Sequence, residues 1–173
     1  MAGKPYVPYD LNQVRQMADD LGIDVDVQTA AVASDDPEGF GERPMEGRPQ
    51  ILLIKSEPSF GHFILLMGRH VDEATGVPTD IELFDSQATK ARTLPGYLMG
   101  TEEGSQLNGH PPDWLGRVLM GLKQAHGITL SFNYSPYQAL DTNTCALQVL
   151  ARAATPDVPP AEFTKQAFEY FSK

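Results

Sequence analysis

The chain has 173 residues, 13 basic against 23 acidic, a net charge of −10 and one cysteine. That length suits one domain spanning 1–173 with a substantial core, and the acidic balance argues against gripping a nucleic-acid backbone, which needs clustered Lys and Arg. A single cysteine excludes an internal disulfide and any multi-Cys zinc site, no signal-peptide run is expected at the N-terminus, and the longest purely apolar run, Phe63–Met67, is far short of the about 20 residues of a membrane helix.

Asp10 followed by Gln13 is a helix-starting signature, with Leu11, Val14, Met17, Ala18 and Leu21 on one face and Gly22 as the stop. Residues 34–49, rich in Gly, Pro and acidic side chains, read as a long surface loop. Gln50–Lys55, Gly61–Arg69 and Thr79–Asp85 read as strands, the last two joined by a turn-prone stretch and so expected to pair antiparallel. Residues 86–112 carry few apolar clusters and read as a long loop of the functional kind. Asp113 is expected to cap a helix to about Ala125 with Trp114, Val118, Leu119 and Leu122 inward, and Gly127 to end it. Ile128–Asn133 follows as a strand, Cys145–Ala154 as a helix, and 161–172 as an amphipathic helix with Phe163, Ala167, Phe168 and Phe171 inward. The sum is an α+β fold, a small mixed or antiparallel sheet flanked by helices.

Four residues can be weighed together for chemistry. Cys145 opens a helix, where the dipole favours a thiolate. His62 enters one strand and Asp85 ends the next, the arrangement in which a carboxylate orients an imidazole base. Gln138 offers an amide that, with backbone N–H groups, can bind an oxyanion. Each has a bland alternative: a core thiol, a structural histidine, a turn aspartate, a surface glutamine. His70, His110 and His126 show no metal-ligand spacing with the carboxylates, and neither metal nor cofactor is expected. Trp114, Phe132, Tyr134 and Tyr137 are candidates to line a substrate cleft, with core packing or a loop rim the plainer account of the first two. Asp141 reads as a helix cap rather than as a rival to Asp85.

The order His, Asp, Gln, Cys resembles the adenovirus-protease and SUMO-protease superfamily of cysteine peptidases. Gly61-His62-Phe63 is similar to its His element, Glu82-Leu-Phe-Asp85-Ser86 to its acidic element, and Gln138 through Asp141-Thr-Asn-Thr-Cys145 to the last element of the adenain-like maturation proteases of large DNA viruses and virophages. The likeness covers roughly residues 50–153. It implies a cysteine endopeptidase fold with Cys145 as nucleophile, His62 as base, Asp85 as its orienting acid and Gln138 at the oxyanion. It further implies protein substrates, namely capsid or core precursors cut near small residues during particle maturation, and a place in the virion and the host-cell interior. No nucleic-acid or membrane partner is expected, and a monomer is favoured. Two other readings stay open. One is a protease that removes a ubiquitin-like modifier. The other is a non-catalytic virion or scaffold protein, kept alive by Ala146 where the family usually has Gly.

Overall fold

The computed structural model describes residues 9–57, 60–85, 114–132 and 145–159, with Glu162, Phe163, Lys165 and Gln166. Its elements are α1 (Leu11–Asp20), β1 (Asp26–Thr29), α2 (Ala30–Asp35), α3 (Pro37–Met45), β2 (Gln50–Glu57), β3 (Phe60–Val71), β4 (Pro78–Phe84), α4 (Trp114–His126), β5 (Thr129–Phe132) and α5 (Cys145–Ala154).

The strands form one five-stranded sheet in the order β1-β2-β3-β4-β5. The three central strands are antiparallel, and both edges pair parallel to their neighbours, so the sheet is mixed. A parallel neighbour needs a crossover. The chain makes the first through α2 and α3, between β1 and β2, and the second includes α4, between β4 and β5.

Both faces of the sheet are covered. Alternation along β3 sends Phe63, Leu65 and Met67 to one side, where they join Val14 and Ala18 of α1 and Ala146, Val149, Leu150 and Ala153 of α5. Ile64 and Leu66 face the other way, into a second cluster with Phe40 and Met45 of α3 and Trp114, Leu115, Leu119 and Leu122 of α4. The sheet is thus the middle of three layers, and the apolar run 63–67 is continuous because it feeds two cores.

α1 begins as the sequence suggests. Asp10 and Gln13 form a reciprocal capping box, each side chain accepting from the other residue's backbone N–H at 2.8 Å. Gly22 leaves with φ 69°, a conformation that favours glycine. Gly127 ends α4 in the same way at φ 64°.

The loop expected over 34–49 is corrected: α2 ends at Asp35 and α3 occupies 37–45. Asp36 caps α3 by accepting from Gly39 N–H, and Pro37 fills the first turn, where its missing donor is not needed. Pro44 lies in the last turn, and Phe40, Gly41, Pro44 and Met45 are buried. Gly41 has a packing role: a Cβ there would lie 2.9 Å from Val118 Cγ1, so glycine lets α3 approach α4. β1, four residues long, is an addition to the expected strands. Trp114 is buried, and Phe132 packs against the α3–α4 cluster, as core residues should. The expected loop 86–112, Asp113 and most of the helix expected over 161–172 lie outside the described residues, although Phe163 is buried there as the inward stripe requires.

Candidate active site

Strand pairing places the first two candidates. Leu65 lies opposite Phe84 across the β3–β4 ladder. Ile64 is therefore opposite Asp85, and His62 is the diagonal neighbour two residues further along, close enough for long side chains to meet. They do meet: His62 Nε2 donates to Asp85 Oδ1. The side chains are 16% and 9% exposed, so the pair is largely withdrawn from water. A carboxylate on Nε2 fixes the ring as the Nε2–H tautomer and turns Nδ1, itself shielded from solvent, into the basic nitrogen.

The third candidate opens α5, whose position is set from its other end. Arg152 donates from Nε and Nη2 to the two carboxylate oxygens of Glu82 at 2.7 and 3.1 Å. Arg69, on the far side of Glu82, donates to the Pro156 carbonyl just beyond the helix. These two anchors hold the end of α5 against β3 and β4. From Arg152 back to Cys145 a helix rises about 10 Å. From Glu82 on to Asp85 a strand rises about 10 Å. A helix running from that anchor along β4 would bring its first turn level with Asp85. Position 145 also shares a helical row with Arg152, because seven residues make almost two full turns.

The faces differ, however. His62 is the cross-strand neighbour of Ile54 and continues the row of Ile64 and Leu66 on the α3–α4 side, whereas α5 packs on the opposite side. Any approach of Cys145 to His62 is around the end of the strands rather than through the sheet. Gln138 and Asp141 lie outside the described residues, as do His110, Tyr134 and Tyr137. Of the four candidates, then, His62 and Asp85 are in contact, and Cys145 begins α5, which packs on the other face of the sheet. Ala146 is fully buried in the α5–β3 cluster, so its methyl fills core space.

Of the remaining histidines, His70 is exposed at φ 53° within β3, and His126 at the end of α4 contacts Glu42 of α3 at 3.1 Å.

The charged clamp behind the site was not anticipated. Arg152 is completely buried, Glu82 is 4% and Arg69 7% exposed. Arg152 also donates to the Thr155 and Val158 carbonyls at 3.0 and 2.9 Å and stacks over Phe163 at 5.0 Å. The available signal was a charge on the inward stripe of an otherwise apolar helix. Gln148, one turn after Cys145, is a second fully buried polar group on α5.

Among the described residues, no group of three His, Cys, Asp or Glu side chains is placed to hold a metal ion, and no helix is long and apolar enough to cross a membrane. No protein-family model matches the chain, and no curated protein matches its sequence.

Proposed function

We propose that the chain is a cysteine endopeptidase. The observation that carries this reading is the withdrawn His62–Asp85 pair. Asp85 holds the imidazole and stabilises it once protonated. His62 Nδ1 takes the Cys145 thiol proton, and the thiolate attacks the peptide carbonyl. Gln138 and backbone N–H groups hold the resulting oxyanion. Collapse breaks the C–N bond while His62 returns the proton to the leaving amine. Water then releases the acyl group from sulfur by the same base. The helix dipole at position 145 favours the thiolate throughout. The arrangement requires the thiol to reach His62 past the strand end.

The resemblance of the His, Asp and Cys elements supports precursors of a viral particle as substrates, and the virion and host-cell interior as the place of action. The burial of Ala146 weakens the argument for a non-catalytic scaffold, since the methyl is taken up by the core.

The test pairs chemistry with turnover. Iodoacetamide should alkylate Cys145 at neutral pH faster than a free-cysteine peptide, and His62→Ala should slow it. Cleavage of Gly-containing precursor peptides should vanish in Cys145→Ala. Cleavage that persists in Cys145→Ala rules the reading out, and so does a thiol that reacts only on unfolding. Cleavage confined to a ubiquitin-like fusion would instead assign the chain to modifier removal.

A further inference from the structure

A cleft lies at the β1 edge. Between Tyr9 and Arg48 acidic residues outnumber basic ones ten to three, yet all three arginines, Arg15, Arg43 and Arg48, line one cleft of about 660 Å³. That volume is in the range of small-molecule sites. Their states differ. Arg48 is engaged by Asp24 and Asp26 at 2.9 and 2.7 Å. Arg15 donates from Nε to the Val27 carbonyl at 2.9 Å and so caps the strand edge. The Arg43 side chain, half-buried, makes no hydrogen bond or ion pair among the described residues. Its charge nevertheless reaches Asp26. The backbone adds a donor: Asp26 N–H turns inward to the Pro49 carbonyl, so alternation turns Val27 N–H outward to the cleft.

A half-buried guanidinium with open donors, beside a second arginine and an outward N–H, matches the forked geometry of a carboxylate or phosphoryl group. We propose that this cleft binds a small oxyanion-bearing ligand, with Arg43 as its principal contact and Arg15 and Val27 N–H beside it. The site is distinct from the His62–Asp85 pair, because β2 intervenes between β1 and β3. Asp19 and Glu46 also line the wall and select against polyanions, so the ligand carries one or two negative charges.

Arg43 sits in the last turn of α3, where any cation complements the helix dipole. Arg43→Lys keeps that role and loses the fork, so it separates recognition from stability. The experiment is thermal denaturation of the full chain with inorganic phosphate or succinate, against sodium chloride at equal ionic strength. At ten times its dissociation constant a ligand should raise Tm by about 3–6 °C. Phosphate acting alone assigns a phosphoryl ligand, and succinate alone a carboxylate. The shift should disappear in Arg43→Ala and Arg43→Lys and persist in Arg117→Ala. No shift with either probe overturns the proposal. A shift that survives in Arg43→Ala overturns it too. Peptide cleavage by the Arg43 variants should be unchanged, so failure here and failure of the protease reading are separable.

Discussion

Removing the Glu82 carboxylate should be among the most damaging single changes in the protein. In Glu82→Ala two guanidinium groups, 1% and 6% exposed, lose their shared counter-charge inside the fold. Breaking a buried pair in this way costs about 3–5 kcal/mol, because the remaining charge is left uncompensated. For a chain of this size that lowers Tm by about 6–20 °C. The two arginines are not equivalent. Arg152 holds both oxygens of Glu82 at 2.7 and 3.1 Å and two carbonyls besides. Both Arg69 contacts are 3.4 Å long. Arg152→Met should therefore cost more than Arg69→Met. Replacing all three by apolar residues of similar volume (Arg69→Met, Glu82→Leu, Arg152→Met) should recover much of the loss, since no charge is then stranded. Urea denaturation followed by circular dichroism gives each value, and a double-mutant cycle gives the Glu82–Arg152 coupling. A loss below about 1 kcal/mol for Glu82→Ala would mean that these charges behave as exposed ones, and the clamp would not be what fixes α5.

Asp85→Asn should keep the fold but lower kcat for peptide cleavage by about 10²–10⁴ with little change in KM, because it disturbs the tautomer of His62; equal losses in kcat and in Tm-corrected folded fraction would make Asp85 merely structural. Gly68→Ala should destabilise by about 1–3 kcal/mol, since its Cβ would lie 2.5 Å from the Pro44 carbonyl and 2.6 Å from Pro78 Cγ. Gly121→Ala, whose Cβ meets open space within α4, should instead stabilise by about 0.5–1 kcal/mol in the same assay. Burial alone would raise the Asp26 carboxyl, but the Gln50 amide and the Arg48 guanidinium outweigh it and hold the group below its ordinary 3.8. Its contribution to stability is present above 3.8 and is lost as pH falls through the lower folded value. Stabilities of wild type and Asp26→Asn should thus differ at pH 7, by about 1 kcal/mol or less because Asp26 is partly exposed, and converge as pH falls through the lowered folded value, read from urea midpoints.

The central strands were legible because burial on both faces writes itself into sequence as apolar runs, Ile51–Ile54 and Phe63–Met67, and as Ile81-Glu-Leu-Phe84, broken only by the clamp carboxylate. β1 was not, because Asp26-Val-Gln-Thr holds one apolar residue and owes its place to pairing with β2. α3 was hidden by composition. Its Gly and Pro read as loop punctuation, yet Asp36-Pro37 is a start signal, Gly41 a contact point with α4 and Pro44 an end. At the site, the order of His62 and Asp85 along two neighbouring strands implied a contact, and antiparallel pairing delivers it. What chain order cannot carry is the face on which α5 packs. Nor could it join Arg152 to Glu82, seventy residues apart, because the pairing depends on where a helix lands on a sheet.

That landing links the clamp to the proposed chemistry. The His62–Asp85 pair is fixed by β3–β4 register, while position 145 belongs to a helix whose axial position nothing in the strand ladder determines. A slip of α5 by one turn would move its first residue about 5.4 Å, well beyond the reach of a thiol–imidazole hydrogen bond. Apolar packing alone resists such a slip weakly, since Ala146, Val149, Leu150 and Ala153 would meet similar side chains one turn on. The bidentate Arg152–Glu82 pair does not tolerate it, because a displaced guanidinium would leave both charges buried and unpaired. The buried ions therefore act as a register pin between helix and sheet. On this argument the all-apolar clamp variant should separate stability from activity, recovering Tm while its peptide cleavage stays low.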